Sequence, residues 1–362
     1  MKLMILTGKF GMGHWAASLS LKQQLEHSLG AQVEVVDFLS AALPELSPAL
    51  YKSFQLLVTY GGGLYNLVHS LTESAKTAMP SPLADALTQR FYDLALERQP
   101  DAVIATHPLC AQLVSRFKRD YGVPLPLVTC ITDVTCHSEW LNPGTDCYFV
   151  GSPTVREGLM AKGVPFYRIE VTGIPVREEF KKPVRRGGGL PRNLLIMGGG
   201  LGMLPRREDF YDALNDLPNV HTTIICGHNE KLRARLAGKW ENIEVLGFTD
   251  RVCDYMARSD LMLSKPGGST MFEAIFSKLP LLAWAPQLAQ EKENAQFLVS
   301  AGVGLVSQRG PEACLESIRS TIYNDQLLAG MAQNAGRLRT QLRDACMGDV
   351  LSALTAKGRA AA

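Results

Sequence analysis

A chain of 362 residues, 46% hydrophobic and 20% charged, with a formal net charge of +2, has room for two domains and the composition of a folded protein, not a disordered one. The near-neutral balance provides no global basic field, which argues against nucleic acid as a partner and leaves attraction to acidic surfaces to local patches. Eight scattered cysteines form no CxxC and no Cys/His set with zinc spacing, so they read as small apolar core residues in a reducing cytoplasm.

In chain order, residues 3–6 are a short apolar run, the pattern of a buried strand and too short for a signal segment. The turn Gly8-Lys9-Phe10-Gly11-Met12-Gly13-His14 follows, and apolar residues at three-to-four spacing over 16–29 then predict a helix. Glycines at a strand-to-helix turn allow close backbone approach to a ligand, and the helix start adds free N–H groups. His14 at its mouth has the chemistry of a general base near neutral pH; the plainer reading is a Gly-rich turn with an exposed histidine. A second strand is expected at 33–36. Asp37 ends it where a dinucleotide fold keeps its ribose-binding acid, but the glycine spacing is not that fold's fingerprint. Residues 43–82 form an apolar, aromatic stretch with Tyr51, Phe54, Tyr60 and Tyr65, broken by glycines, and read equally as core helices or a lipid-facing lid.

Strands at 102–105 and 127–131 lead to Thr132-Asp133-Val134-Thr135-Cys136-His137-Ser138-Glu139-Trp140. Its polar crowding at a strand end suits an acceptor site better than a metal, because the spacing is wrong for a helical His pair, and Trp140 suits an apolar–polar boundary. Residues 181–193 are basic, Gly-rich and aperiodic, hence a linker between domains at 1–180 and 194–362, the last helix of which is expected to pack back on the first domain. Its charges are either a solvated loop or a contact for anionic lipid headgroups. The strand rhythm restarts at 194–197, 221–226, 243–246, 261–263 and 281–284. Strand–helix alternation in both halves predicts two doubly wound α/β domains, with ligands at the carboxyl ends of the strands in a cleft between them.

The second half carries three motifs. Gly198-Gly199-Gly200-Leu201-Gly202 repeats the placement of the first glycine turn and suits a pyrophosphate. Ser264 to Ala274 holds Gly267, Gly268, Ser269 and Thr270 before a helix, a seat for a phosphate, with Glu273 one turn on to accept from a ribose diol; the plainer alternative is a capping box from Thr270 to Glu273. Gln290-Glu291-Lys292-Glu293-Asn294 follows a strand end and either bonds sugar hydroxyls or is a solvated helix start.

Taken together, GMGHWAAS, TDVTCHSEWLNPGTDCYFVGS, VTGIPVREEF, LLIMGGGLGM, IICGHNEKL, GFTDRV, SKPGGSTMFEA and AQEKENAQFL resemble the monogalactosyldiacylglycerol synthase and processive diacylglycerol glucosyltransferase family, relatives of the peptidoglycan transferase MurG, over nearly the whole chain. The resemblance implies a GT-B fold and inverting transfer of glucose or galactose from a UDP-sugar to diacylglycerol. It also implies no metal or other cofactor, and a position at the inner face of the cell membrane, peripheral on an anionic surface. It places His14 as the base with Asp133 second. Gly199, Gly200, Gly268, Ser269 and Thr270 would meet the diphosphate, and the backbone around Phe248 the uracil. Glu273 would meet the ribose, Gln290, Glu291 and Asn294 the hexose, and His137 and Trp140 belong to the acceptor and lipid-headgroup region. Leu288-Ala289 stands where the family usually has Pro-Gly, and Trp15 is bulkier than the family pattern. The competing readings are MurG-like transfer of N-acetylglucosamine to a prenyl-linked precursor, a UDP-sugar epimerase on the same scaffold, and a non-catalytic UDP-sugar-binding module.

Overall fold

The structure is a computed structural model that describes residues 1–61, 63, 66, 67, 70, 73, 81–182, 189–200, 202–205 and 207–361. Residues 183–188 of the basic linker, Arg185 and Arg186 included, and Tyr65 of the aromatic stretch lie outside these residues. The chain divides into two compact units. One comprises Met1–Arg177, Leu288–Gln290 and Leu342–Ala362, the other Glu178–Gln287 and Glu291–Gln341.

The first unit is built on β1 (Lys2–Thr7), β2 (Gln32–Asp37), β3 (Ala102–Ala105), β4 (Leu127–Cys130), β5 (Cys147–Val150) and β6 (Ile169–Val171), in the order β2-β1-β3-β4-β5-β6. Every pairing is parallel, and such sheets need cover on both faces. Side chains alternate along β1 as the pleat requires. Met4 and Leu6 join Phe91 and Phe117 in one core cluster; Leu3 and Ile5 join Leu21, Leu25, Met347 and Leu351 in another. The helix Met12–Leu29 and the last helix, Met347–Ala361, therefore cover one face, while Ser81–Arg98 and Pro108–Tyr121 cover the other.

The second unit has β7 (Arg192–Met197), β8 (Val220–Ile225), β9 (Ile243–Leu246), β10 (Leu261–Ser264), β11 (Leu281–Ala283) and β12 (Gly304–Val306), in the order β12-β11-β10-β7-β8-β9, again all parallel. Both units are thus doubly wound. The direction of winding reverses between β1 and β3 in the first and between β7 and β10 in the second, and those carboxyl-end crevices are where such sheets take ligands.

The strands predicted from apolar runs are present with ends moved by a residue or two. Three that no run announced, β5, β6 and β12, have only three or four residues each, too few to show a period. The aromatic stretch contributes the helix Ser47–Tyr60. Tyr51 and Phe54 pack edge-on against Phe10 at 5.1 Å, whereas Leu50 and Leu56 are exposed. The helix is anchored through these two rings, and its solvent side mixes Leu50 and Leu56 with Lys52, Ser53 and Gln55. Asp37 accepts hydrogen bonds from the Ser40 and Tyr51 hydroxyls; its carboxylate ties this helix down, so it is not offered to a ribose.

Candidate functional site

In the first unit the turn after β1 and the end of β3 face each other across the reversal point. The helix Met12–Leu29 is capped by Gly11 in extended conformation with no side-chain cap bond, so its first N–H groups are left to other partners. His14 lies in its first turn. Its Nδ1 is 2.6 Å from the Thr132 hydroxyl, which ties it to the loop that carries Asp133. The ring of His107, two residues past the end of β3, meets it edge-on at 4.8 Å, and Phe10 stacks on His107 at 4.9 Å. His107 caps the helix Pro108–Tyr121, its Nδ1 accepting the Leu109 N–H at 3.2 Å. That bond fixes the neutral tautomer with the proton on Nε2.

Burial lowers the His14 pKa to about 4 against an opposing hydrogen bond to the Thr106 carbonyl. Burial, and then the neighbouring His14, hold His107 well below the usual histidine range. Two uncharged imidazoles therefore stand together at neutral pH. His14 is ready to accept a proton there, but it is a weaker base than an exposed histidine. His107 and Thr132 were not singled out from sequence. The signal for His107 was available: a histidine two residues past the end of a fully apolar strand and just before a helix-starting proline.

The acceptor residues lie differently from expectation. Trp140 is 2% exposed and His137 4%. The loop closes into a short 3-10 turn, Ser138–Trp140, capped by His137. Gln112 holds it from the neighbouring helix by donating to the Glu139 carbonyl at 3.0 Å. The turn drives the indole inward to 6.3 Å from His14. The boundary position expected for Trp140 is thus corrected: it packs among the groups that hold His14. His137 faces Glu73 at 3.3 Å and Glu139 at 3.6 Å. Burial raises the Glu139 pKa.

In the second unit the Gly198–Gly202 turn leaves β7. Gly199 (φ +67°) and Gly202 (φ +58°) are left-handed, and a Cβ on Gly202 would lie 2.0 Å from the Cys226 carbonyl oxygen, so only glycine fits. The turn closes through Gly202 N–H to Gly199 O at 3.0 Å and Met203 N–H to Gly198 O at 2.9 Å. The His228 N–H donates to Gly200 O at 3.1 Å. Its ring stacks on Phe248 at 4.3 Å and 11°, which links the glycine turn to a ring that is 58% exposed.

The helix Gly268–Phe276 starts at the end of the β10 loop, capped by Gly267 without a side-chain cap bond. The capping-box alternative is therefore corrected. Ser269 and Thr270 lie inside the first turn, and the backbone donors there are not consumed by a cap. Glu273 is half-buried one turn on. Asn294 is wholly buried and its amide donates to the Pro266 carbonyl at 2.9 Å, so that group shapes the turn and is not presented to a hexose. Glu291 is 9% exposed; it accepts the Gln287 N–H at 3.1 Å and faces Lys265 at 3.4 Å. Gln290 Oε1 is buried with no hydrogen-bond partner among the described residues. The structure thus assembles Gly199, Gly200 and Phe248 through His228, and Glu291 and Asn294 around the 264–268 loop, while His14 and the Asp133 loop form a separate group in the first unit.

The monogalactosyldiacylglycerol synthase family model matches residues 14–176, and the glycosyltransferase family 28 C-terminal domain matches residues 193–339. A processive diacylglycerol beta-glucosyltransferase of Bacillus subtilis (strain 168) is 29% identical over 349 residues, 92% of this chain and 90% of the relative. Its counterpart in Staphylococcus carnosus (strain TM300) is 27% identical over 355 residues, 94% of this chain and 89% of the relative. Among solved structures, Acinetobacter baumannii MurG superposes with TM-score 0.65 at 19% identity, covering 98% of both chains. Anabaena HepE in complex with UDP-glucose gives 0.55 at 16% identity over 100% of both. A Neisseria meningitidis UDP-GlcNAc 2-epimerase gives 0.55 at 14% identity, covering 94% of this chain and 99% of that one. MurG and an epimerase share this fold with the chain, so the fold alone does not select the activity. Residues 14–176, with His14, thus carry the monogalactosyldiacylglycerol synthase domain and residues 193–339, with the glycine turn, the family 28 glycosyltransferase C-terminal domain, and the chain is similar nearly end to end to both processive diacylglycerol beta-glucosyltransferases.

Proposed function

We propose that the chain transfers a hexose from a UDP-sugar to 1,2-diacylglycerol, forming a β-glycosyldiacylglycerol with inversion. The observation that carries the reading is the synthase family match, which begins at His14 and runs through His107 and the Asp133 loop. The B. subtilis and S. carnosus relatives are named for beta-glucosyl transfer, which favours glucose over galactose. The diacylglycerol hydroxyl attacks the anomeric carbon, the bond to the diphosphate breaks and UDP departs with the electron pair. The neutral imidazole of His14 takes the acceptor proton as its hydroxyl gains acidity in the transition state. Asp133, on the loop bound to His14 through Thr132, is the second candidate. At the donor, the Gly199–Gly200 backbone, the start of the Gly268–Phe276 helix, Ser269 and Thr270 supply neutral donors aimed at the diphosphate. Phe248 and its stacked His228 offer a ledge for the uracil, Glu273 meets the ribose, and Gln290 with Glu291 meets the hexose. No metal or other cofactor is required in this scheme.

No described helix is long and apolar enough to cross a membrane. With diacylglycerol as acceptor, the reading places the protein peripherally on the cytoplasmic face of the membrane, where the exposed leucines of the Ser47–Tyr60 helix meet an anionic lipid surface. The test is to incubate the purified chain with diacylglycerol in anionic vesicles and a panel of UDP-sugars, following UDP release and glycolipid formation. Lipid-dependent release with UDP-glucose supports the reading. Transfer only to a prenyl-linked precursor moves the chain to the MurG-like reaction, and a UDP-sugar converted without acceptor makes it an epimerase. UDP binding without any turnover makes it a binding module.

A further inference from the structure

Lys265 stands where the two donor-site loops meet. β7 and β10 are adjacent and in register, Met197 opposite Ser264, so the residues that follow, Gly198 and Lys265, leave the sheet side by side at the reversal of strand order. The Lys265 ammonium lies 3.9 Å from Met203 Sδ, at the far end of the glycine turn, and 3.4 Å from Glu291 Oε1. These are its hydrogen-bond partners among the described residues. A thioether is a weak acceptor, and the carboxylate contact is longer than the ~2.7–2.9 Å of a tight charge-assisted bond. The lysine keeps 30% of its side-chain surface exposed, against 11% for Glu291. A cation that is loosely held and partly open, between a glycine turn and a helix start, is poised to exchange its partner for a stronger anion.

We propose that Lys265 is the cation that binds the donor's diphosphate, and that it rests on Glu291 until the diphosphate arrives. The inference rests on the donor reading above and adds a residue and an order of events to it. As the bond from the anomeric carbon to the diphosphate oxygen breaks, the electron pair stays on that oxygen. Lys265 remains protonated throughout and stabilises the charge left there. Its move onto the phosphate frees Glu291 Oε1, so the hexose acceptor group becomes available only when a nucleoside diphosphate is in place. UDP and the UDP-sugar share this contact, whereas uridine lacks it.

Calorimetry on the full chain with uridine and with UDP, beside steady-state kinetics with UDP-glucose, separates the roles. Lys265→Met is expected to weaken UDP by about tenfold or more and uridine by less than about threefold, with Lys265→Arg retaining most of the UDP affinity. Glu291→Gln releases the lysine, so its UDP affinity rises relative to uridine while its turnover with UDP-glucose falls. A lysine that merely positions Glu291 gives another pattern: both substitutions impair UDP-glucose alone and leave the UDP-to-uridine ratio untouched. That pattern, or equal loss of uridine and UDP in Lys265→Met, overturns the assignment. If Lys265→Met does not fold, the Glu291→Gln arm decides the matter: a rise in its UDP affinity relative to uridine supports the proposal, and an unchanged or lowered ratio counts against it. An unsubstituted chain that binds no UDP overturns the donor reading as well, whereas UDP binding indifferent to Lys265→Met overturns this inference alone.

Discussion

His14 has lost its charge to its surroundings, and that sets two expectations. With burial lowering its pKa to about 4, the proton-accepting form is present throughout the neutral range. The kcat/KM profile should therefore show no acid limb from His14 between about pH 5 and 8, which a pH series on the purified enzyme checks. His14→Ala should lower turnover by about 10²–10⁴-fold with UDP affinity unchanged in calorimetry; normal turnover would remove the base assignment. Stability follows the same shift. Unfolded histidine takes up its proton near 6.5 and the folded ring only near 4, so the unfolded state binds more protons in that window and stability falls as pH drops from about 6.5 to 4. The loss from this group is about 3 kcal/mol at most, since the ring keeps part of its surface in solvent. Urea unfolding at pH 7 and pH 4.5 should show a smaller pH dependence in His14→Gln than in the unsubstituted chain. The histidine was legible as a candidate because it closes a glycine turn; its lack of charge was not, because that depends on Trp140, His107 and Thr132, all distant in sequence.

Among the elements, the glycine turn after β7 and the helix start after β10 decide the donor end. Gly202 has both a left-handed φ and a Cys226 carbonyl in the space a Cβ would need. Gly202→Ala should destabilise the second unit by more than the ~1 kcal/mol of ordinary glycine strain and displace the turn, so thermal unfolding should report the loss and calorimetry a weakened UDP. Gly199→Ala meets no atom within 4 Å and should show the backbone strain alone. Asn294→Ala leaves the buried Pro266 carbonyl without that donor at a cost of about 1–3 kcal/mol, and the 264–268 loop should then loosen in hydrogen exchange. Sequence placed both glycine turns, because strand, glycine run and helix follow one another locally. It offered a capping box at Thr270 that the structure does not form, because the helix begins three residues earlier than that box requires and Gly267 takes the cap position.

For the molecule as a whole, the chain returns at its end to its beginning. Met347 and Leu351 belong to the same buried cluster as Leu3, Ile5, Leu21 and Leu25, and Arg343 ties the segment to β6 through the Val171 carbonyl at 2.9 Å and Glu170. Deleting residues 342–362 should uncover one face of the first sheet. Differential scanning calorimetry should then show the transition of the first unit lowered or lost and that of the second retained. The proposed membrane contact belongs to this scale too: vesicle flotation should rise with anionic lipid and weaken as salt screens it beyond a Debye length of about 10 Å at 0.1 M. Flotation indifferent to lipid charge would assign binding to the exposed leucines alone.

By itself the sequence determined the α/β class, the doubling of the domain and the positions of the glycine turns, because apolar runs and turn glycines act over a few residues and leave a local pattern. The resemblance in motif order then named the family. Only the tertiary structure decided that Trp140 and His137 turn inward, that Asn294 serves a loop, and that Lys265 stands beside Glu291. These outcomes depend on which strands become neighbours, as β7 with β10 and β1 with β3. A crossover connection that brings residues 67 positions apart into register leaves no periodic trace in the sequence it joins.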